Sequence, residues 1–376
     1  MTNIQKVCCV ALSLCFFGTL AITPGPFFLR ENVYRQLPLY CFLEKKASEK
    51  SRYEDWETYE EIIEENGQYL GEKAWEEQKI AEGEKKEDKI SGANASEPQE
   101  NNGEDTGNTT QEAVASIHPV IDLSPAKLAD FNYLLGQFYI VDPDTQADAS
   151  LLNAGNFLAQ DLKIEKKSDT PQILIYHSHS QEAFADSRQG EEEDTIVGVG
   201  NYLTQILTET YGYQVVHIKE AFDMKSGEMD RSAAYDYARD YLTGFLEENP
   251  DIEVVIDLHR DGVPEDRHLV TEIDGKETAQ IMFYNGLSYT LSKGKLDYLP
   301  NPYMQENLAF SFQLEYEAAQ YYPDFYRGIY LAGYRYNQHF RPRSILLEAG
   351  AQTNTVQEVK NAMEPFAFLL DKVLNG

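Results

Sequence analysis

Hydrophobic and polar positions divide this chain into three regimes. From Val7 to Thr23 every residue is uncharged and most are apolar, after Lys6 and before Pro24-Gly25-Pro26. From about residue 30 to residue 115 the pattern breaks up. Trp56, Tyr59, Ile62, Ile63 and Tyr69 among many glutamates predict a short amphipathic helix or two within Tyr53–Glu82. Gly83–Gln111 is almost free of apolar residues and reads as a disordered linker. From about Ile117 onward, short unbroken apolar runs alternate with stretches of helical spacing. The runs predict strands at Ile173–Tyr176, Val215–Ile218, Glu253–Leu258 and Ser344–Leu347. The helical spacing predicts helices at Thr195–Tyr211, Ser232–Glu248 and Thr355–Leu374. Strands that are apolar throughout are buried on both faces. Their alternation with helices therefore predicts an α/β fold, a three-layer sandwich around a mainly parallel sheet.

The expected organisation is a membrane anchor or signal segment at 1–29, an acidic linker at 30–115 and a globular catalytic domain at 116–376. The first apolar run is 17 residues long, the short end of a membrane span and also the length of a signal-peptide core. Phe27, Phe28 and Leu29 continue it beyond the prolines, which favours an uncleaved single-pass anchor. Lys6 on the short side predicts a cytoplasmic N-terminus with the body of the chain outside. Asn94 and Asn108 lie in sequon-like triplets, read as accidents of linker composition.

Charge and cysteine content narrow the chemistry. The formal net charge is −31, from 63 acids against 32 bases, which excludes a nucleic-acid surface built on clustered lysine and arginine. Cys8, Cys9 and Cys15 lie in the apolar run and only Cys41 outside it. Neither a disulfide framework nor a thiolate zinc site has the residues it needs.

Three strand ends carry candidate chemistry, and parallel sheets gather function at the carboxyl ends of their strands. The first is Tyr176-His177-Ser178-His179-Ser180-Gln181-Glu182, where two of the chain's seven histidines leave one strand. Neutral imidazole is a common zinc ligand and Glu182 adds a carboxylate. The second is Asp257-Leu258-His259-Arg260-Asp261. Here Asp257 and Asp261 are placed to orient the imidazole, and Arg260 to bind a substrate carboxylate or pair with an aspartate. The third is Glu348-Ala349-Gly350-Ala351-Gln352-Thr353-Asn354, where desolvation at a strand end suits a glutamate to general acid–base work. Two histidines and a carboxylate with an open fourth position are what a hydrolytic zinc (Zn2+) site requires. No Gly-x-Ser-x-Gly elbow is present, and Gly198-Val199-Gly200 falls within a helical pattern without a phosphate-loop lysine.

The runs PQILIYHSHSQEAFADS, DTIVGVGNYL, VVIDLHRDG, TAQIMFYNGLS, NPYMQENLAFSFQ, YRYNQHFRPRSILLEAGAQTNT and NAMEPFA resemble the stage II sporulation protein P family. The resemblance covers Ile117 to the C-terminus and extends to the anchor and linker in front. It implies an extracytoplasmic peptidoglycan hydrolase at the septal membrane of endospore-forming bacteria, acting in septal thinning and engulfment. The implied fold is that of the zinc N-acetylmuramoyl-L-alanine amidases, a phosphorylase/hydrolase-like α/β sheet. A second activity on peptide cross-links is implied as well, as are stage II sporulation proteins D and M as partners. By motif, the first metal ligand falls on His177 or His179, and His259 supplies another. Glu182 supplies the acidic ligand, with Glu192 of the Glu191-Glu192-Glu193 run as the alternative. Glu348 matches the amidases' catalytic glutamate, and Asp257, Arg260, Asp261 and Asn354 fall in the supporting positions.

In the aromatic-rich region 283–340, Tyr284, Tyr289, Tyr303, Tyr316, Tyr321, Tyr322, Tyr326, Tyr330, Tyr334 and Tyr336 offer flat faces for a glycan groove, although most suit helix packing better. Arg335 and Arg341 are candidates for stem-peptide carboxylates. Two rivals remain from the residues themselves: a non-enzymatic wall-binding scaffold of the septum, and a metal hydrolase of free peptides.

Overall fold

A computed structural model describes residues 119–376, with Ser226 left aside and Ser232 described by its backbone alone. The expected anchor, amphipathic helices, linker, sequon-like triplets and all four cysteines lie outside the described residues. Among the described residues no helix is long and apolar enough to cross a membrane.

In chain order the main elements are α1 (Phe131–Phe138), β1 (Tyr139–Val141), α2 (Ala154–Leu158), β2 (Ile173–Tyr176), α3 (Ile196–Glu209) and β3 (Val215–His217). There follow α4 (Ala234–Glu248), β4 (Val254–Asp261), β5 (Ile281–Gly286), α5 (Met304–Tyr321), β6 (Tyr326–Ala332), β7 (Ser344–Ala351) and α6 (Val356–Asn375). The seven strands form one sheet in the order β1-β6-β5-β7-β4-β2-β3. Neighbours run parallel except β7 and β5, which are antiparallel. The expected mainly parallel α/β architecture is present, with two oppositely directed parallel blocks meeting at that one pair.

Alternation along the central strands sorts side chains onto two faces. Ile173, Ile175, Val254, Ile256, Leu258, Ile345 and Leu347 join the larger core, with residues of α1, α2, α3, α5 and α6. Leu174, Tyr176 and Val255 face the other way, against Ala238, Leu242 and Leu246 of α4. All four residues of β2 are at most 1% exposed. Truncating one of them to alanine costs about 2–5 kcal/mol, so the loop that follows starts from a rigid stub.

Helix starts follow local chemistry. The Thr195 hydroxyl accepts from the Val197 N–H at the start of α3. Thr355 and Glu358 form a reciprocal capping box on α6. Helix α4 begins at Ala234, two residues later than the spacing suggested, because Arg231–Ala233 form a 3-10 turn.

Two strands run past their expected ends. β4 continues to Asp261 and β7 to Ala351, so His259 and Glu348 stand inside strands rather than after them. Register pairs Glu348 with His259 and Tyr176 with Asp257. Paired residues share a face, and i, i+2 spacing keeps Asp257 and His259 together. The register between β7 and β4 shifts after Glu348, and Gly350 adopts φ +65° there. A Cβ at Gly350 would meet Asn354 Oδ1 at 2.9 Å, so only glycine serves this bulge beside the site.

Candidate metal and catalytic site

The loop after β2 is built to hold two donors still. The Ser180 hydroxyl donates to Asp223 Oδ1 at 2.7 Å, and the Gln181 N–H to Asp223 Oδ2 at 3.0 Å. The Ile196 N–H donates to the Glu182 carbonyl at 3.0 Å, and Ala183 bridges Thr195. Between these ties His179 and Glu182 turn inward, 4% and 3% exposed. They meet His259 from β4: His179, Glu182 and His259 can each offer one ligand atom, all within 4.8 Å of one another. His179 Nδ1 lies 3.5 Å from Glu182 Oε1, and His259 Nδ1 lies 3.6 Å from the same oxygen.

The surrounding bonds orient each donor. His259 Nε2 is 2.8 Å from Asp257 Oδ1, a bond that orients the ring and turns Nδ1 toward Glu182. Asp257 is held in turn by the Ser178 N–H at 2.9 Å and the Ser178 hydroxyl at 2.5 Å. Glu182 Oε2 accepts from the Arg260 N–H at 2.9 Å, leaving Oε1 toward the histidines. The ring of Tyr235 stacks on His259 at 6.3 Å and meets His179 edge-on at 5.6 Å.

Electrostatics follow this layout. Burial opposes charge on His259, yet the Asp257 and Glu182 carboxylates lift its pKa well above the ordinary value. Burial likewise works against the Glu182 anion, but His259, His179 and Arg260 hold its carboxyl well below the usual range. Imidazole nitrogens turned toward a carboxylate oxygen attract a cation, and the Arg231 guanidinium meets that demand here. Its Nη2 is 3.0 Å from Glu182 Oε1 and 3.1 Å from His179 Nδ1. Two nitrogens and one carboxylate oxygen are a donor set suited to zinc, and this set fits the ion that the sequence led us to expect.

Glu348 stands beside this group, opposite His259 in register. It is 8% exposed, and its Oε2 has no hydrogen-bond partner. Burial, reinforced by the Asp261 carboxylate, pushes its pKa up to about 8. A carboxyl that exchanges its proton near neutrality is equipped for acid–base catalysis.

The other expected residues fall elsewhere. His177 does not join the three donors. Its Nδ1 lies 2.7 Å from the Leu258 carbonyl and its Nε2 2.8 Å from His217 Nε2. Burial lowers its pKa to about 4. Gly200 makes room for this pair: a Cβ there would come within 2.7 Å of His217 and 2.9 Å of His177. Glu192 lies in a 3-10 turn, more than half exposed, and pairs with Lys219 at 2.9 Å rather than with the histidines. Asp257 orients His259, whereas Asp261 pairs with Arg327 at 2.7 Å. The Arg260 side chain donates to the carbonyls of Ala183 and Asp261, which locks the loop. Asn354 accepts from the Ala351 N–H and donates to Leu269 O and Glu358, a turn-bracing role.

The candidate glycan tyrosines Tyr284, Tyr330, Tyr334 and Tyr336 are buried in a core cluster with Tyr235. Tyr289, Tyr303, Tyr316, Tyr321, Tyr322 and Tyr326 are half-buried. Arg341 donates to the carbonyls of Ile252, Leu246 and Phe340, and Arg335 to that of Pro300. Sequence reasoning missed Asp223, Arg231 and Tyr235. A signal existed for Arg231: a base just before a helix N-terminus opposes the helix dipole and calls for another partner.

The sequence model of stage II sporulation protein P (SpoIIP) matches residues 30–371. The chain belongs to that family. The stage II sporulation protein P of Bacillus subtilis (strain 168) is 25% identical over 209 residues, covering 52% of this chain and 49% of that one. The chain thus spans about half the length of the curated relative it matches. Two solved structures show partial likeness. N-acetylmuramoyl-L-alanine amidase AmiC2 of Nostoc punctiforme has a TM-score of 0.35 and 18% identity, covering 56% of this chain and all of that one. The apo form of the N-acetylmuramyl-L-alanine amidase Ami1 from Mycobacterium abscessus has a TM-score of 0.31 and 10% identity, covering 54% and 99%.

Proposed function

We infer that this stage II sporulation protein P is a zinc-dependent N-acetylmuramoyl-L-alanine amidase that cuts peptidoglycan between the lactyl group and L-alanine. The observation that carries the reading is the set His179, Glu182 and His259 with Glu348 beside it, on a chain whose family is known from its sequence. His179 Nδ1, Glu182 Oε1 and His259 Nδ1 would hold the ion. Zinc, when bound, supplies a Lewis acid that polarises the scissile carbonyl and makes water nucleophilic at neutral pH.

The chain's own residues supply the rest. Asp257 keeps the His259 proton on Nε2, so that Nδ1 remains a donor to the ion. Tyr235 holds both rings in place by contact on two sides. Glu348 takes a proton from the attacking water and returns it to the departing alanine nitrogen, a shuttle worth about 10²–10⁴-fold. The burial that raises its pKa also keeps bulk water from competing for that proton.

The same reading extends to the setting. It places the protein at the sporulation septum during engulfment, anchored in the membrane by residues 1–29 with the catalytic domain outside. Stage II sporulation proteins D and M are its expected partners, and peptide cross-links are a second expected substrate.

Incubating the purified chain with peptidoglycan tests the chemistry. Free L-alanine amino termini should appear without new reducing ends, and a chelator should stop their release. Glu348→Gln should lower the rate by about 10²–10⁴-fold while zinc remains bound. If Glu348→Gln releases stem peptides at the full rate, the shuttle is wrong. If no amino termini appear with zinc bound, the chain is a wall-binding scaffold or acts on another amide. Mass spectra of muropeptides from cross-linked sacculi then report any cutting of cross-links.

A further inference from the structure

Arg231 sits at the head of the 3-10 turn Arg231–Ala233, after the exposed hairpin Met224–Met229. The base of this segment is tied to the loop that carries the candidate ligands. Asp223 receives bonds from Ser180 and Gln181, and its carbonyl accepts from the Asp230 N–H at 2.7 Å. From that base the Arg231 side chain reaches inward. It remains 34% exposed while Glu182 is 3% exposed, so the guanidinium enters from the solvent side and has a way out.

One terminal nitrogen of a guanidinium carries two hydrogens. Here one points to Glu182 Oε1 at 3.0 Å and the other to His179 Nδ1 at 3.1 Å. These are the lone pairs that zinc would use at about 2.0–2.2 Å. A nitrogen that close to both donors leaves no room for the ion, and two cations would repel each other at that separation. Resting on the metal reading above, we propose that Arg231 is a built-in competitor of zinc. It holds the donor set assembled when the metal is absent, and its side chain must withdraw toward solvent when the metal binds, which releases the tie it gives the segment 222–233.

Linkage makes the effect reciprocal. Whatever draws the 222–233 segment outward tightens zinc binding, and zinc loosens that segment. Metal loading and opening of this edge of the site thereby become one equilibrium.

The test uses the full chain, stripped of metal, as wild type, Arg231→Gln and Arg231→Lys. Zinc affinity is read by competition with a chromophoric chelator, and hydrogen exchange of peptides covering 222–233 is followed with and without zinc. Arg231→Gln should bind zinc at least tenfold tighter, Arg231→Lys should stay nearer wild type, and zinc should speed exchange in the wild-type segment. Equal or weaker binding by Arg231→Gln, or wild-type exchange that zinc leaves unchanged or slows, overturns the proposal. The exchange measurement decides alone if Arg231→Gln does not fold. Wild-type protein that takes up no zinc overturns the metal reading itself, an outcome distinct from zinc uptake that ignores Arg231.

Discussion

Replacing Asp257 by asparagine isolates a charge from a shape. Asp257 Oδ1 accepts from His259 Nε2 at 2.8 Å and from the Ser178 N–H at 2.9 Å, while Oδ2 accepts from the Ser178 hydroxyl at 2.5 Å. An asparagine with its oxygen in the Oδ1 position keeps the first two bonds. Its amide keeps the third, because a hydroxyl turns to accept. What disappears is the negative charge that makes the imidazole a stronger donor. Outer carboxylates of this kind are worth about 10- to 100-fold in metal affinity, or about 1.4–2.8 kcal/mol at about 1.4 kcal/mol per decade. Asp257→Ala differs, since it strands buried donors at about 1–3 kcal/mol each. Chelator competition for zinc and urea unfolding on the same samples separate the two effects. Asp257→Asn should lose 10- to 100-fold in affinity with a smaller fall in urea midpoint than Asp257→Ala, which should lose both. An Asp257→Asn protein that binds zinc as tightly as wild type would refute the claim that this carboxylate tunes His259.

Two further comparisons probe the structure. His177→Ala should keep one equivalent of zinc yet lower stability by about 2–6 kcal/mol, from unpaired groups at Leu258 and His217 at about 1–3 kcal/mol each, whereas His179→Ala should lose zinc. Chelator competition and urea titration read both, and the reverse outcome would move the metal to His177. Glu315 on α5 is fully buried, neither carboxyl oxygen has a partner, and burial raises its pKa well above 4.5. With a raised folded-state pKa, its contribution is fully present below about 4.5 and is lost as pH rises through the folded value. Glu315→Gln should therefore gain on wild type in urea midpoint from pH 4 to pH 8, and a gap that does not change with pH would count against a neutral buried carboxyl.

Much of the candidate site was legible because its donors follow the most apolar strands. β2 and β4 read as unbroken runs ending in histidine, and Glu348 follows three aliphatic residues. The other half of the sheet was hidden for the same reason. β5 (IMFYNG) and β6 (YRGIYLA) mix tyrosine, arginine, asparagine and glycine into buried strands. Their polar groups find partners far away in sequence, as Tyr330 does with Asp142. The charged end of β4 looked like a loop, but Arg260 and Asp261 are satisfied by Glu182, Ala183 and Arg327. Local periodicity carries no record of such partners. Arg231 and Tyr235 were missed because their roles are set by histidines 52 and 24 residues away.

The position of β7 also bears on how the molecule is assembled. It is the last described strand in chain order, yet it lies between β5 and β4 at the middle of the sheet. Until residues 344–351 are in hand, the two parallel blocks have nothing to join them, and β4 and β5 each present an open edge prone to pairing with other chains. The same strand brings Glu348. A chain interrupted before it can gather His179, Glu182 and His259 but lacks Glu348, so on the proposed mechanism hydrolysis waits until the sheet is whole.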